Sequence, residues 1–198
     1  MNKLIVIVGP SGVGKTSLAR ALYEKHDFAI AYEQHNERPF QTLFKQNPKY
    51  ALANQLDYLL YRAEQERELR QSDKPALMDG GLDLDFHGFT RLFHLHGWLT
   101  DEEFNLCRRF YEHTRALLPA PDLIIALSAS AQTVSQRLAA RNRINIASSE
   151  DAELLNQFIN EWLESISESK VIKLDVSHES ANYTDSVSII LDKLIFPL

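Results

Sequence analysis

Residues 9–16 restrict the fold of this chain more than any other segment. They read Gly-Pro-Ser-Gly-Val-Gly-Lys-Thr and match the phosphate-binding loop pattern G-x-x-x-x-G-K-[ST] in full. The apolar run 4–8 precedes the loop and a helical pattern follows it, so the loop joins a buried strand to a helix. In that setting the loop amides and the positive end of the helix bind phosphate oxygens. The chain is therefore predicted to bind a nucleoside triphosphate.

The positions of this loop have separate predicted roles. Two glycines allow the backbone to follow its tight path, Lys15 reaches the β- and γ-phosphates, and the Thr16 hydroxyl holds Mg²⁺. The predicted nucleotide-binding residues are Gly9, Ser11, Gly12, Val13, Gly14, Lys15 and Thr16. ATP and Mg²⁺ are the expected cofactors, although the residues alone leave another triphosphate donor open.

Composition excludes several classes of protein. A length of 198 residues suits a single domain spanning 1–198, and a net charge of −6 argues against a nucleic-acid-binding surface. No apolar run approaches the ~20 residues of a membrane span, and the first strand begins too early for a removable signal. Cys107 is the one cysteine, so there is no intrachain disulfide. We expect Cys107 to be a small core residue of a cytoplasmic protein.

Short apolar segments alternate with helical patterns along the whole chain. We expect strands near 3–8, 28–33, 76–79, 122–127 and 171–175. We expect helices near 15–25, 48–71, 83–95, 101–117, 130–141, 150–168 and 183–194. Strands that are apolar on both faces belong to parallel sheets covered by helices on both sides. The sequence therefore predicts a three-layer α/β/α fold with a five-stranded parallel sheet.

Polar side chains at the carboxyl ends of these strands are candidates for a common site, because ligands of such sheets gather there. Glu33 ends the second strand and could accept a proton from an acceptor hydroxyl; the alternative is a cap for the next loop. Asp79 ends the third strand and could orient Mg²⁺; the alternative is a turn carboxylate before two glycines.

Three arginines follow the fourth strand. Arg137 and Arg141 lie four residues apart and share a helix face, and Arg143 follows at the end of the helix. Aimed at a triphosphate, they would neutralise the charge that develops on the transferred group. A solvated helix end that favours the helix dipole is the alternative interpretation.

Taken together, these residues resemble the deoxyribonucleoside kinase family over about residues 1–170. The segment 39–50 is similar to the one that leads into that family's base-binding helix. Gln55 then falls on the glutamine that pairs with the nucleobase edge, and Arg62, seven residues later, matches an active-site arginine. A glutamine suits this role because its amide offers one donor group and one acceptor.

The resemblance extends to the catalytic motifs. Glu33 matches the proposed base, Asp79 the acid of an Asp/Glu-Arg-Ser motif, and Asp85 an acid six residues later. The segment 120–125 resembles the Pro-Asp-hydrophobic strand, and Arg137, Arg141 and Arg143 reproduce the lid pattern R-x-x-x-R-x-R. The resemblance implies a P-loop NTPase fold with a helical lid and ATP-dependent phosphorylation of a deoxynucleoside 5′-hydroxyl. It also implies a homodimer formed through the 48–71 and 101–117 helices.

The chain departs from the family pattern on the acceptor side. Gly80 and Gly81 stand where the motif has arginine and serine, and Ile146 stands where the lid has glutamate. The tyrosine that partners this glutamate has no clear match, since Phe44 and Lys45 occupy the region. Glu150 or Asp151 could replace the lid acid and Arg91 the lost arginine, but the spacing of neither matches.

These departures leave other functions open. One is a kinase of the same fold that acts on another small hydroxyl or phosphate acceptor, which a changed acceptor side would accommodate. Another is a nucleotide-binding protein without catalysis, which the loss of the Arg-Ser pair favours. The retention of Lys15, Thr16, Glu33 and the lid arginines favours a kinase, because a protein that only binds nucleotide needs few of them.

Overall fold

A parallel five-stranded sheet organises the structure. The computed structural model describes residues 3–32, 38–139, 149–180 and 182–195. The strands are β1 (Leu4–Val8), β2 (Ala29–Ala31), β3 (Ala76–Asp79), β4 (Leu123–Ser128) and β5 (Val171–Asp175). Their order is β2-β3-β1-β4-β5, and every neighbouring pair is parallel. All of the predicted strands are confirmed, although β2, an edge strand paired only with the short β3, is three residues long.

Helices connect these strands. They are α1 (Lys15–Lys25), α2 (Pro39–Gln46), α3 (Ala51–Leu69), α4 (Leu82–Leu84), α5 (Arg91–Leu95), α6 (Asp101–Leu117), α7 (Ala131–Ala139), α8 (Ser149–Glu164) and α9 (Thr184–Ile195). Short 3₁₀ turns span Pro48–Tyr50 and Glu168–Lys170, and a π-helical turn spans Asp85–Thr90. Across the described ranges, no helix combines the length and apolar character needed to cross a membrane.

The two faces of the sheet each support a separate hydrophobic cluster. Alternate residues of β1 face opposite sides, as the period of a strand requires: Ile5 and Ile7 on one face, Leu4 and Val6 on the other. The first cluster includes residues of α1 and α9, and the second includes residues of α3 and α8. The predicted three-layer α/β/α fold is therefore confirmed, and its central strand leads directly into the phosphate-binding loop.

Two of the predicted helices are interrupted in the structure. The segment 48–71 is a 3₁₀ turn followed by α3, because Asn47 ends α2 and its side chain accepts a hydrogen bond from the Lys49 amide. The helix α2 itself was not predicted as a helix; it begins with Pro39 in its first turn, a position that proline tolerates well. The segment 83–95 contains the π-helical turn between α4 and α5.

Helix α6 begins with a capping box, as its sequence indicates. The Thr100 amide donates to Glu103 Oε2 at 2.9 Å, and the Glu103 amide donates to Thr100 Oγ1 at 3.3 Å. The helix packs against α3 and buries Cys107 completely. Burial raises the pKa of the Cys107 thiol to about 11, so the thiol stays protonated at neutral pH and serves as a small core residue.

Candidate active site

The phosphate-binding loop lies at the carboxyl end of the central strand. Gly14 has φ +114°, and a Cβ there would lie 2.0 Å from the phenolic oxygen of Tyr183, so only glycine fits. The Lys15 ammonium donates to the backbone oxygens of Gly9 at 2.9 Å and Pro10 at 3.1 Å. The lysine therefore lies over its own loop, where it can exchange these carbonyl contacts for phosphate oxygens.

Thr16 and Asp79 are in direct contact. The Thr16 hydroxyl donates to Asp79 Oδ2 at 2.6 Å, and the whole Asp79 side chain is buried. Its second oxygen, Oδ1, has no hydrogen-bond partner among the described residues. A buried carboxylate oxygen without a partner is costly, and a hydroxyl beside a carboxylate is the donor set that Mg²⁺ prefers. The residues present therefore fit a magnesium ion.

Arg62 connects the end of β3 to the π-helical turn. From helix α3, its Nε donates to Asp85 Oδ2 at 2.8 Å and its Nη1 donates to the Asp79 backbone oxygen at 3.2 Å. Nη1 also donates to Gln65 Oε1 at 3.1 Å. The side chains of Arg62 and Asp85 are 4% and 8% exposed, so this ion pair is almost completely removed from water. The predicted acceptor residues Arg62, Asp79 and Asp85 thus form one connected group.

Gly80 lies next to the guanidinium of Arg62. Its φ is +82°, and a Cβ built on it would lie 3.0 Å from Arg62 Nη2. A residue with a side chain at this position, such as the arginine of the family motif, would strain the backbone and require the Arg62 guanidinium to shift by a few tenths of an ångström.

Gln55 is buried next to two polar residues that the sequence did not single out. Its Nε2 donates to Thr90 Oγ1 at 2.9 Å, and its Oε1 accepts a hydrogen bond from Asn54 Nδ2 at 3.4 Å. Thr90 in turn donates to the Asp85 backbone oxygen at 3.0 Å. Residues five apart lie on different faces of an α-helix, so Thr90 reaches the Asp85 backbone oxygen because this segment forms a π-helical turn. Gln55, Arg62, Asp79 and Asp85 are thereby linked in one hydrogen-bonded row.

Arg137 places α7 against the phosphate-binding loop. Its Nη1 donates to the backbone oxygen of Val13, and its Nη2 donates to the backbone oxygen of Val176 at 2.9 Å. The first of the predicted lid arginines is therefore at the nucleotide loop. Several predicted residues lie outside the described ones: Glu33, Arg141, Arg143 and Ile146.

The residues considered as replacements for missing family groups have other partners. Arg91 donates to Glu161 Oε2 at 2.6 Å, and its guanidinium lies 4.1 Å from the centre of the Phe158 ring. Asp151 Oδ1 lies 2.7 Å from His96 Nε2. In the structure the Arg91 side chain binds to α8, and its contacts give no support to the suggestion that it replaces the lost arginine.

A buried charged network supports the segment between Asp79 and Asp85. Arg115 bridges two buried carboxylates, Glu66 of α3 and Asp83 of α4, with four contacts of 2.9 Å. Tyr111 donates to Asp83 Oδ1 at 2.7 Å, and its hydroxyl lies 3.1 Å from His87 Nε2. Burial and the charge of Asp83 raise the pKa of Tyr111, and burial lowers the pKa of His87 to about 4. Burial alone would lower the pKa of Arg115, but the two carboxylates raise it.

Comparison with known proteins identifies the family. The family model described as deoxynucleoside kinase matches residues 5–194. The chain is similar to a deoxyguanosine kinase of Bacillus subtilis (strain 168), with 27% identity over 140 residues that cover 70% of this chain and 67% of the relative. It is also similar to a deoxyadenosine/deoxycytidine kinase of the same organism, with 20% identity over 200 residues that cover 98% and 92% of the two chains.

The fold has a solved counterpart. A structure of deoxyadenosine kinase from M. mycoides with bound dATP superimposes with a TM-score of 0.78, at 21% identity, and covers 98% of this chain and all of that one. That similarity confirms the P-loop kinase fold. Since the family model matches almost the whole chain, the chain belongs to the deoxynucleoside kinase family, whose members phosphorylate deoxynucleosides with ATP.

Proposed function

We propose that Thr16 and Asp79 hold the Mg²⁺ of an ATP complex and that Lys15 binds its β- and γ-phosphates. The observation that carries this proposal is the 2.6 Å contact between Thr16 and Asp79, together with the buried oxygen of Asp79 that has no hydrogen-bond partner in the described part of the chain. When bound, the metal neutralises charge on the phosphates. The loop amides orient the γ-phosphoryl group, and Lys15 balances the charge on its oxygens.

The acceptor side of the site is proposed to bind the nucleobase and sugar of a deoxynucleoside. Gln55 offers a donor and an acceptor to a base edge, and the buried pair of Arg62 and Asp85 borders the path from the base to Asp79. The similar proteins are kinases of deoxyguanosine and of deoxyadenosine and deoxycytidine. Deoxynucleosides of guanine, adenine and cytosine are therefore the acceptors to test first.

Glu33 and the lid arginines complete the proposed mechanism. Glu33 takes the proton of the 5′-hydroxyl as its oxygen attacks the γ-phosphorus, and the bond to the ADP oxygen breaks. Arg137, Arg141 and Arg143 neutralise the charge that develops on the transferred group. The role of Glu33 is supported by its position in the sequence, directly after Tyr32. The role of Arg141, which follows α7, is supported by its position in the sequence and by the contact of Arg137 with the loop.

A homodimer is proposed for the same molecule, acting in cytoplasmic nucleotide salvage. Helices α3 and α6 pack together, and large apolar side chains remain exposed on them, which favours association of this surface with a second copy. These side chains are Leu60, Leu106 and Leu117, with exposed fractions of 47%, 43% and 71%.

The proposal is tested by measuring ADP formation from ATP and Mg²⁺ with a panel of deoxynucleosides and ribonucleosides. Lys15→Ala should abolish turnover, whereas Lys170→Ala, at an exposed lysine directly before the edge strand β5, should leave it unchanged. Turnover with a non-nucleoside acceptor alone would support a different kinase of this fold. ATP binding without turnover of any acceptor would contradict the proposed catalysis.

The role of Glu33 has its own test. Glu33→Gln keeps the size of the side chain but removes the base, so turnover should fall by about 10²-fold or more with little change in ATP affinity. Glu168→Gln, at an exposed position before β5, is the matched control and should retain full turnover. Retained turnover in Glu33→Gln would show that another group accepts the proton.

A further inference from the structure

The side-chain amide of Gln55 is held from both sides inside the protein. Its nitrogen donates to Thr90 Oγ1 at 2.9 Å, and its oxygen accepts from Asn54 Nδ2 at 3.4 Å. Gln55, Asn54 and Thr90 are 2%, 1% and 0% exposed, so water does not compete for these contacts. An amide has two orientations that differ by a half turn, and its neighbours decide which one is occupied.

The Thr90 hydroxyl determines that orientation. A hydroxyl carries one hydrogen, and Thr90 directs it to the backbone oxygen of Asp85 at 3.0 Å. A backbone oxygen only accepts, so the hydrogen cannot be donated to Gln55 while this bond is present. Thr90 Oγ1 therefore acts as an acceptor toward Gln55, and the NH₂ group, not the oxygen, must face it.

The π-helical turn makes this arrangement possible. Thr90 is the last residue of the turn and Asp85 is the first, and a bond between residues five apart is the spacing of a π-helix. Asp85 is also the partner of Arg62. The group that fixes the Gln55 amide is thus anchored to the same residue that connects the acceptor side to Asp79.

We propose that Thr90 is a positioning residue that sets which class of nucleobase Gln55 can pair with. This inference rests on the proposed role of Gln55 in acceptor binding. Adenine and cytosine present a ring-nitrogen acceptor beside an amine donor, whereas guanine and thymine present a ring N–H donor beside a carbonyl acceptor. An amide fixed in one orientation pairs with one of these orders, and the half-turned amide pairs with the other.

The kinetic test compares Thr90→Val with Thr90→Ser. Valine keeps the shape of threonine but removes the acceptor, whereas serine keeps the hydroxyl. For each protein, kcat/KM is measured for deoxyadenosine, deoxycytidine, deoxyguanosine and thymidine. The ratio of kcat/KM between the preferred and the disfavoured class should fall about tenfold in Thr90→Val and stay within about twofold in Thr90→Ser. An equal loss for all four bases in Thr90→Val would overturn the proposal, since a merely structural role predicts it.

A second readout does not depend on catalysis. The side-chain amide signal of Gln55, assigned by its loss in Gln55→Leu, is followed by ¹⁵N NMR in the full chain without ligand. In Thr90→Val this signal should shift and its protons should exchange faster with solvent, whereas in Thr90→Ser it should not change. Thr90→Ala replaces Thr90→Val if the valine variant folds poorly, and the same change is expected in it. An unchanged signal in the folded variants would overturn the role of Thr90. A wild-type protein that phosphorylates no deoxynucleoside would instead overturn the proposed function, so the two failures are separate.

Discussion

Arg115 holds Asp83 through two parallel hydrogen bonds, from Nε to Oδ1 and from Nη2 to Oδ2, both of 2.9 Å. The same guanidinium binds both oxygens of Glu66, which is completely buried. One positive charge therefore joins α6 to α3 and to the segment after β3. This segment lies between Asp79, the last residue of β3, and Asp85, so the network holds the backbone that connects these two residues.

Replacing Arg115 should be among the most destabilising changes in this region. Arg115→Met leaves two buried carboxylates without this partner, so the free energy of unfolding should fall by about 3–5 kcal/mol. Lys74→Ala is the matched control, because Lys74 and Asp27 form an exposed pair at 2.8 Å; its effect should be within about 0.5 kcal/mol. Urea denaturation measures both variants, and a loss below 1 kcal/mol for Arg115→Met would contradict the expectation.

Asp79 should control the magnesium dependence of turnover. Asp79→Asn keeps the size of the side chain but removes the charge, so the Mg²⁺ concentration for half-maximal activity should rise about tenfold or more. Asp192→Asn, an exposed substitution on α9, should not change it. Turnover is titrated with Mg²⁺ at saturating ATP. If both variants gave the wild-type titration curve, Asp79 would have no part in binding the metal.

Alanine substitutions at Gly80 and Gly97 distinguish the effect of backbone strain from the effect of contact with Arg62. Both have positive φ, +82° and +68°, but a Cβ at Gly97 would meet nothing within 4 Å. Gly97→Ala should therefore cost about 1–2 kcal/mol of stability with unchanged kcat/KM. Gly80→Ala should cost at least as much and also lower kcat/KM about tenfold or more, because it displaces Arg62. Equal kinetics for the two variants would show that Arg62 tolerates the extra methyl group.

His87 should make stability depend on pH in acid. Its pKa falls from 6.5 to about 4 because it is buried, with Arg91 and Arg115 adding to burial and Asp83 opposing it. Between these pH values the unfolded chain binds more protons than the folded one. The free energy of unfolding should therefore decrease by about 3 kcal/mol in total as pH falls from 6.5 to 4. Above pH 6.5 the contribution of His87 should be constant.

The pH dependence is checked by urea denaturation at several pH values. His87→Gln removes the titrating group, so the slope between pH 4 and 6.5 should become smaller. His178→Gln, at an exposed position, should leave the slope as it is in the wild type. A variant His87→Gln with an unchanged slope would assign the acid sensitivity to other groups.

The sheet and the nucleotide loop were predictable because their signals are local. Each strand is a short apolar run, and the loop is a continuous eight-residue pattern that needs no distant partner. Gln55, Arg62 and Asp85 could be identified only through the family resemblance, since an isolated glutamine or arginine on a helix has no chemical signature of its own.

The remaining polar groups of the site could not be read from spacing. Arg115 meets Glu66 and Asp83, which lie 49 and 32 residues earlier in the chain, so only the folded structure brings them together. Thr90 was missed for a different reason. Its hydrogen bond to the Asp85 backbone oxygen has the five-residue spacing of a π-helical turn, and the helical pattern of 83–95 carries no sign of that extra residue.

The π-helical turn carries the proposed base selection and follows the residues that are proposed to bind the metal and the phosphates. Loss of one residue within Asp85–Thr90 would restore the α-helical repeat and remove the five-residue spacing between Thr90 and the Asp85 backbone oxygen. The bond of Thr90 to that oxygen would change, whereas Thr16 and Asp79, which precede the turn, would keep their contact. Under the proposed role of Thr90, a single deletion in this turn would therefore alter base preference in one step and leave the contact between Thr16 and Asp79 intact.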